Sequence, residues 1–161
     1  MEHRRNSLVL FGRPGSGKTS LACSWLRRAI TVFESPGYFV VVADLLETMR
    51  PHFEDPPELQ RLARHFVTDV RDAPYLVLDD LGAEKPSDFT LEQCFRLINH
   101  RHDQELDTVV TTNCSSRELE HRIGVRTVDR LIEMADWINL DGPNLRRLPS
   151  LTVVQSDGAV A

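Results

Sequence analysis

The eight residues Gly12-Arg13-Pro14-Gly15-Ser16-Gly17-Lys18-Thr19 constrain the fold more than any other stretch of the chain. They spell G-x-x-x-x-G-K-[ST]. The apolar run Leu8-Val9-Leu10-Phe11 comes just before them and an amphipathic stretch follows. A strand, a glycine loop and a helix in that order are the context in which this pattern cradles phosphate. The glycines let the backbone curl so that successive N–H groups point at one anion. Lys18 can reach the β- and γ-phosphates of a nucleotide, and the Thr19 hydroxyl can ligate Mg²⁺. The candidate nucleotide contacts are therefore Gly12, Pro14, Gly15, Ser16, Gly17, Lys18, Thr19 and Ser20. An ordinary glycine turn before a helix is the bland alternative, and the flanking elements weigh against it.

Hydrophobic periodicity places the remaining elements. Leu21, Ala22, Trp25, Leu26 and Ala29 recur at helical spacing and predict a helix from Gly17 to Ile30 with one buried stripe. Tyr38 to Ala43 is continuously apolar, as expected of a strand covered on both faces, with Asp44 at its end. Leu45 to Met49 fits a short helix. Pro56-Pro57 opens a longer one, with Leu59, Leu62, Ala63, Phe66, Val67 and Val70 on its apolar side. Pro74 to Asp80 reads as a third strand, and Ser87 or Asp88 caps a helix running to about His102. Thr108 to Asn113 is a fourth strand. Ser115-x-x-Glu118 is a capping box for a short helix ending near Gly124. A further helix covers Arg126 to Ala135, with Val128, Leu131, Ile132 and Ala135 inward, and Trp137 to Leu140 is a fifth strand. Residues 149–161 lack helical periodicity and read as a loose tail.

Strands alternating with helices define an α/β domain with a mainly parallel sheet. Such sheets bind ligands at the carboxyl ends of their strands. Three sets of polar residues fall there: the glycine loop after the first strand, Asp79-Asp80 after the third, and Asn113 after the fourth. Asp79 is placed to hold Mg²⁺ opposite Thr19, and Asp80 to orient an attacking water. A strand-ending Asp-Asp turn is the structural alternative. Asn113 could report on the γ-phosphate, or simply lead into the Ser115 cap. Arg126, Arg130 and Glu133 share one helix face. A solvated face is the usual meaning of such charges; the sharper reading is an arginine offered to a neighbouring subunit's γ-phosphate.

Length matters here because 161 residues suit one domain with its own core. No apolar run approaches a membrane span, and the basic N-terminus lacks the long apolar segment of a signal peptide, so a cytoplasmic location is expected. Cys23, Cys94 and Cys114 have no metal spacing and read as buried or half-buried thiols. The net charge of −5 argues against a uniformly basic surface but leaves room for a local nucleic-acid patch.

The order of motifs resembles the AAA+ ATPases: the glycine loop, then Tyr-Leu-Val-Leu-Asp-Asp-Leu-Gly-Ala-Glu, then Val-Val-Thr-Thr-Asn, then Arg-Ile-Gly-Val-Arg-Thr-Val-Asp-Arg-Leu. More narrowly it is similar to the group of bacterial replicative-helicase loaders and transposition helper ATPases, over about Ser7 to Leu148. The resemblance implies a three-layer P-loop NTPase fold with sheet order 5-1-4-3-2. It implies a core over residues 1–148, and two departures from the family's pattern are expected: no N-terminal partner-binding domain, since the first strand begins almost at Met1, and no helical lid after the fifth strand. Lys18 and Thr19 match Walker A, Asp79 and Asp80 match Walker B, Asn113 matches sensor 1, and Arg126 matches the finger position with Arg130 as its alternative. Arg146 or Arg147 would be the stand-in for a second sensor. Asp80 stands where most AAA+ proteins carry Glu, and its shorter arm implies slow hydrolysis.

The function so implied is an ATP- and Mg²⁺-dependent ATPase that self-assembles, binds single- or double-stranded DNA, and serves a replicative helicase or a transposase. A nucleotide-gated adaptor with little hydrolysis is the second expectation. A small-molecule kinase is the third, disfavoured because no arginine-rich lid segment is evident.

Overall fold

The computed structural model describes residues 7–50, 55–142 and 144. Five parallel strands form one sheet in the order β2-β3-β4-β1-β5. The strands are β1 (Ser7–Phe11), β2 (Gly37–Val41), β3 (Tyr75–Asp79), β4 (Asp107–Thr112) and β5 (Ala135–Asn139). The helices are α1 (Lys18–Phe33), α2 (Val42–Met49), α3 (Pro57–Asp72), α4 (Asp88–Asp103), α5 (Ser116–Ile123) and α6 (Val125–Met134). The observed order is the expected one read from the opposite edge.

Strand alternation sorts the core onto two faces. Leu10, Val77 and Val109 pack with Ala22 and Leu26 of α1. Val9, Leu76, Leu78 and Val110 point the other way, into a larger core with Val70, Cys94, Leu97, Ile98, Leu119, Ile123, Val128 and Leu131. Each Val, Leu or Ile among them contributes about 1.5–3 kcal/mol when fully buried. The central strands thus read as continuous apolar runs because both their faces are covered.

Several elements differ from the sequence reading. The β2 ladder ends where Val41 pairs with Asp79, and Val42-Ala43 turn into α2 instead of extending the strand. The apolar run persists because Val42, Leu45 and Leu46 enter the same core from a helix, whose first turn Asp44 favours electrostatically. As a sheet edge, β2 is only partly covered, and Phe39 stays exposed. Helix α1 runs on to Phe33, and its Leu21 is exposed while Trp25 is half-buried. On α3 only Val70 is buried; Ala63 and Val67 are half-buried, and Leu59, Leu62 and Phe66 are exposed. Ile132 of α6 is exposed, and Ala135 starts β5 rather than ending the helix. Cys23 is exposed, not buried. The tail over 149–161, with Arg146 and Arg147, lies outside the described residues.

At the amino ends of β3 and β4, the Arg101 side chain is wholly buried. Its Nε donates to Thr108 Oγ1 (2.8 Å), its Nη1 to the carbonyls of Arg71 and Ala73 (both 2.9 Å), and its Nη2 to the carbonyl of Asp107 (2.8 Å). Burial lowers its pKa to about 10, with Asp107 and Asp72 opposing, so it stays charged at neutral pH. One guanidinium thereby ties α3, α4 and β4 together at the end of the sheet opposite the glycine loop.

Candidate functional site

The glycine loop joins β1 to α1. Gly17 caps α1 in a left-handed conformation (φ 94°), no side chain caps the helix, and its first turn has no acidic residue. The positive end of the helix dipole and its N–H groups are thus available to an anion. The loop is also tightly enclosed from behind by the segment following β5. Leu140 N–H donates to the Phe11 carbonyl at 2.8 Å. A Cβ placed on Gly12 would lie 2.6 Å from Leu140 O, and one on Gly15 would lie 2.1 Å from Asn144 Oδ1. Both glycines have positive φ as well (137° and 84°), so Gly12 is required by backbone and by space, and Gly15 chiefly by its backbone, since the Asn144 side chain can swing aside.

Lys18 is buried, and its Nζ donates to the carbonyls of Gly12 (2.8 Å) and Arg13 (2.9 Å). Thr19 Oγ1 donates to Asp79 Oδ1 at 2.9 Å. The same carboxylate oxygen accepts from Thr111 Oγ1 at 2.7 Å, and Thr111 Oγ1 accepts the Asp80 N–H at 3.0 Å. Asp80 follows β3 in a left-handed conformation (φ 61°), and its Oδ1 accepts from Asn113 Nδ2 at 2.9 Å. The turn is held further by Leu81 N–H on the Thr111 carbonyl (2.9 Å) and by Thr112 Oγ1 on the Leu81 carbonyl (2.7 Å).

These residues surround one cavity of about 330 Å³. Pro14, Gly15, Gly17, Lys18, Thr19 and Ser20 line it from the loop side; Asp79, Asp80, Thr111 and Asn113 line it from the strand ends. Gly12 and Ser16, also expected as nucleotide contacts, are not part of this lining. The Ser16 hydroxyl is buried and without a hydrogen-bond partner among the described residues, an orphan that a phosphate oxygen would satisfy. Thr19 and Asp79 supply hard oxygen donors of the type Mg²⁺ takes, and no thiol or imidazole lines the cavity. The residues present therefore fit a magnesium-bound nucleotide phosphate. The run of small and polar residues predicted from sequence is brought together, and Thr111 joins it. A threonine inside an apolar strand carries no distinctive signal, and only its place two residues before Asn113 pointed to it.

Arg126 and Arg130 lie elsewhere. They border a separate cleft of about 210 Å³ with Phe95, Asp129 and Glu133. The two arginines are engaged differently. Arg126 is exposed, its guanidinium 4.2 Å from the centre of the Phe95 ring. Arg130 is half-buried; it donates from Nε to Asn99 Oδ1 of α4 (3.1 Å) and pairs with Glu133, which also meets His102.

A phosphate loop, an acidic strand end and an asparagine facing them on a 2-3-4-1-5 parallel sheet define a P-loop AAA+ domain. The chain belongs to the family described as IstB-like ATP binding protein, whose model matches residues 1–151. It is 26% identical to the replicative helicase loader DnaI of Bacillus subtilis over 152 residues, 86% of this chain and 47% of that protein. It is 27% identical to the insertion sequence IS5376 putative ATP-binding protein of Geobacillus stearothermophilus over 148 residues, 89% of this chain and 56% of that protein. Among solved structures, the crystal structure of the DnaC helicase loader superposes with a TM-score of 0.69 at 29% identity, covering 86% of this chain and 81% of that one. The chain spans about half the length of the curated relatives it matches. Among the described residues no helix is long and apolar enough to cross a membrane.

Proposed function

We propose that this chain is the ATP-hydrolysing module of a DNA-transaction machine and works by ATP-dependent self-assembly on DNA, in the service of a replicative helicase or a transposase. The observation that carries the reading is the direct bond from Thr19 to Asp79 in the wall of one cavity, with Asp80 and Asn113 beside them. Bound Mg²⁺ would neutralise the phosphates and polarise the terminal P–O bonds. Around it, Lys18 leaves the Gly12 and Arg13 carbonyls and neutralises charge on the β- and γ-phosphates. Thr19 and Asp79 would hold the metal, Asp80 would orient the lytic water, and Asn113, which holds Asp80, would lie toward the γ-phosphate.

Arg126 is the arginine supplied to a neighbouring copy. Its exposure and its loose seat on Phe95 leave it able to reach out, whereas Arg130 is spent on the contact between α4 and α6. The helicase partner is inferred from the likeness to a replicative helicase loader, and the transposase and DNA from the likeness to the putative ATP-binding protein of an insertion sequence. A second reading, a nucleotide-gated adaptor with little turnover, is favoured by one feature: Asp80 is short and already bonded to Asn113.

Calorimetry with Mg·ATP should give saturable heat that is lost in Lys18→Ala. Asp80→Asn should keep that binding and lose ATP turnover by about a hundredfold. Absence of saturable heat in the parent would overturn the reading. Turnover per subunit that ignores protein concentration would overturn the assembly step. Slow parent turnover unaffected by Asp80→Asn would leave the adaptor reading.

A further inference from the structure

We infer that Thr111 is the positioning residue that sets Asp79 and Asp80 in register with each other for metal-dependent nucleotide chemistry. The inference rests on the ATP site proposed above and assigns a role to a residue outside its nucleotide and metal contacts.

A threonine hydroxyl has one hydrogen to give and two lone pairs to receive with. Here the hydrogen goes to Asp79 Oδ1 (2.7 Å), and a lone pair takes the Asp80 N–H (3.0 Å). Thr111 is 2% exposed, so its hydroxyl is committed to these two bonds more than to solvent. Two consecutive acidic residues with different tasks are thus tied to one atom on the next strand. The Asp79 carboxylate oxygen receives two hydroxyls, from Thr19 and Thr111, and this fixes its rotamer with the second oxygen left to other partners. The Asp80 peptide is held in a left-handed conformation that a non-glycine residue adopts at a cost, and the Thr111 hydroxyl is the side-chain anchor of that peptide. From this backbone the Asp80 side chain meets Asn113. Removing the hydroxyl leaves Asp79 Oδ1 with Thr19 alone and takes one of its anchors from the Asp80 turn, while the loop that grips the phosphates is untouched.

The test compares Thr111→Val, which keeps the shape and β-branch, with Thr111→Ser, which keeps the hydroxyl. An N-methylanthraniloyl derivative of ATP is titrated into each protein with EDTA and then across a Mg²⁺ series; steady-state ATP turnover is measured in parallel. Thr111→Val is expected to bind the metal-free nucleotide as the parent does. It should need about tenfold more Mg²⁺ for half-maximal tight binding and lose turnover about tenfold with little change in KM, as for other residues that orient metal ligands. Thr111→Ser is expected to restore both. Parent-like Mg²⁺ dependence and turnover in Thr111→Val overturn the inference, and so does a Thr111→Ser variant as defective as Thr111→Val, which would mean packing alone. Should Thr111→Val fail to fold by circular dichroism, Thr111→Ala takes its place in the same comparison. A parent that binds no nucleotide removes the ATP site itself, and the inference with it.

Discussion

Thr19 donates its hydroxyl hydrogen to Asp79 at 2.9 Å, across a sequence separation of 60 residues. Thr19 opens α1 and Asp79 closes β3, so the bond sets the helix that follows the phosphate loop against the strand that carries the acidic pair. If the two residues hold one metal ion, they act as a unit. Thr19→Val and Asp79→Asn should each weaken Mg²⁺-dependent ATP binding by about 10–100-fold. The double variant should lose little more than the worse single one, because the second change removes a ligand from a site already lost. Titrations of the four proteins with Mg·ATP close the cycle; strictly multiplicative losses would mean that the residues act independently.

Arg126 and Arg130 are one turn apart yet should behave differently. Arg126 is exposed over Phe95, and Arg130 bonds to Asn99 and Glu133. Arg126→Ala is expected to leave ATP binding and melting temperature nearly unchanged while lowering turnover by about a thousandfold, the effect of a missing arginine finger. Mixing it with Lys18→Ala should restore some turnover, since each protein supplies what the other lacks. Arg130→Ala should instead destabilise the contact between α4 and α6 by about 1 kcal/mol, read as a lower urea midpoint. No rescue on mixing would argue against Arg126 acting between copies.

The site was largely legible because glycine, lysine and acidic residues at strand ends are chemically distinctive. Gly12 and Gly15 are demanded by φ, and Gly12 also by the close approach of the Leu140 backbone, so the pattern itself encodes the shape. Apolar residues carry less information. Val42 enters the same core whether it ends a strand or begins a helix, and only the end of the β2–β3 ladder decides. Leu59, Leu62 and Phe66 lie on a helical stripe, but periodicity names a face without saying whether anything covers it; the structure leaves them exposed. Arg101 was missed because an arginine in a helix's last turn normally reads as a solvated residue favoured by the dipole. Its burial depends on carbonyls from two other segments, the end of α3 and the start of β4, which no local pattern reveals.

Arg101 should be among the most sensitive positions for stability. Arg101→Met preserves much of the volume but strips donors from the carbonyls of Arg71, Ala73 and Asp107. Each buried acceptor left alone costs about 1–3 kcal/mol, so a loss of about 3 kcal/mol or more is expected in urea unfolding. Arg101→Lys should recover only part of it, since one ammonium cannot span the same set. Because Arg101 lies at the opposite end of the sheet, ATP affinity should be unchanged wherever the variant is folded. A stability loss below about 0.5 kcal/mol would refute this role.

Glu84 gives the chain a predictable pH response. It lies in the loop after the acidic pair, where its Oε2 accepts the Gly82 N–H at 3.2 Å and its Oε1 is buried without a partner among the described residues. Burial raises its pKa above the ordinary 4.5; the Gly82 amide and Arg122 oppose the rise, and Asp80 adds to it. A carboxyl with a raised native pKa binds its proton more tightly folded than unfolded. Its contribution to stability is therefore fully present below about pH 4.5 and declines as the pH climbs toward the native value, remaining unfavourable above it. Glu84→Gln has no charge to bury, so relative to the parent it should gain stability across that rise and hold the gain at neutral pH. Urea midpoints of both proteins from pH 4 to 8 check this. The difference between them should grow with pH and then level off; a difference that shrinks as the pH rises would reverse the sign and show that the ionised carboxylate is the form the loop prefers.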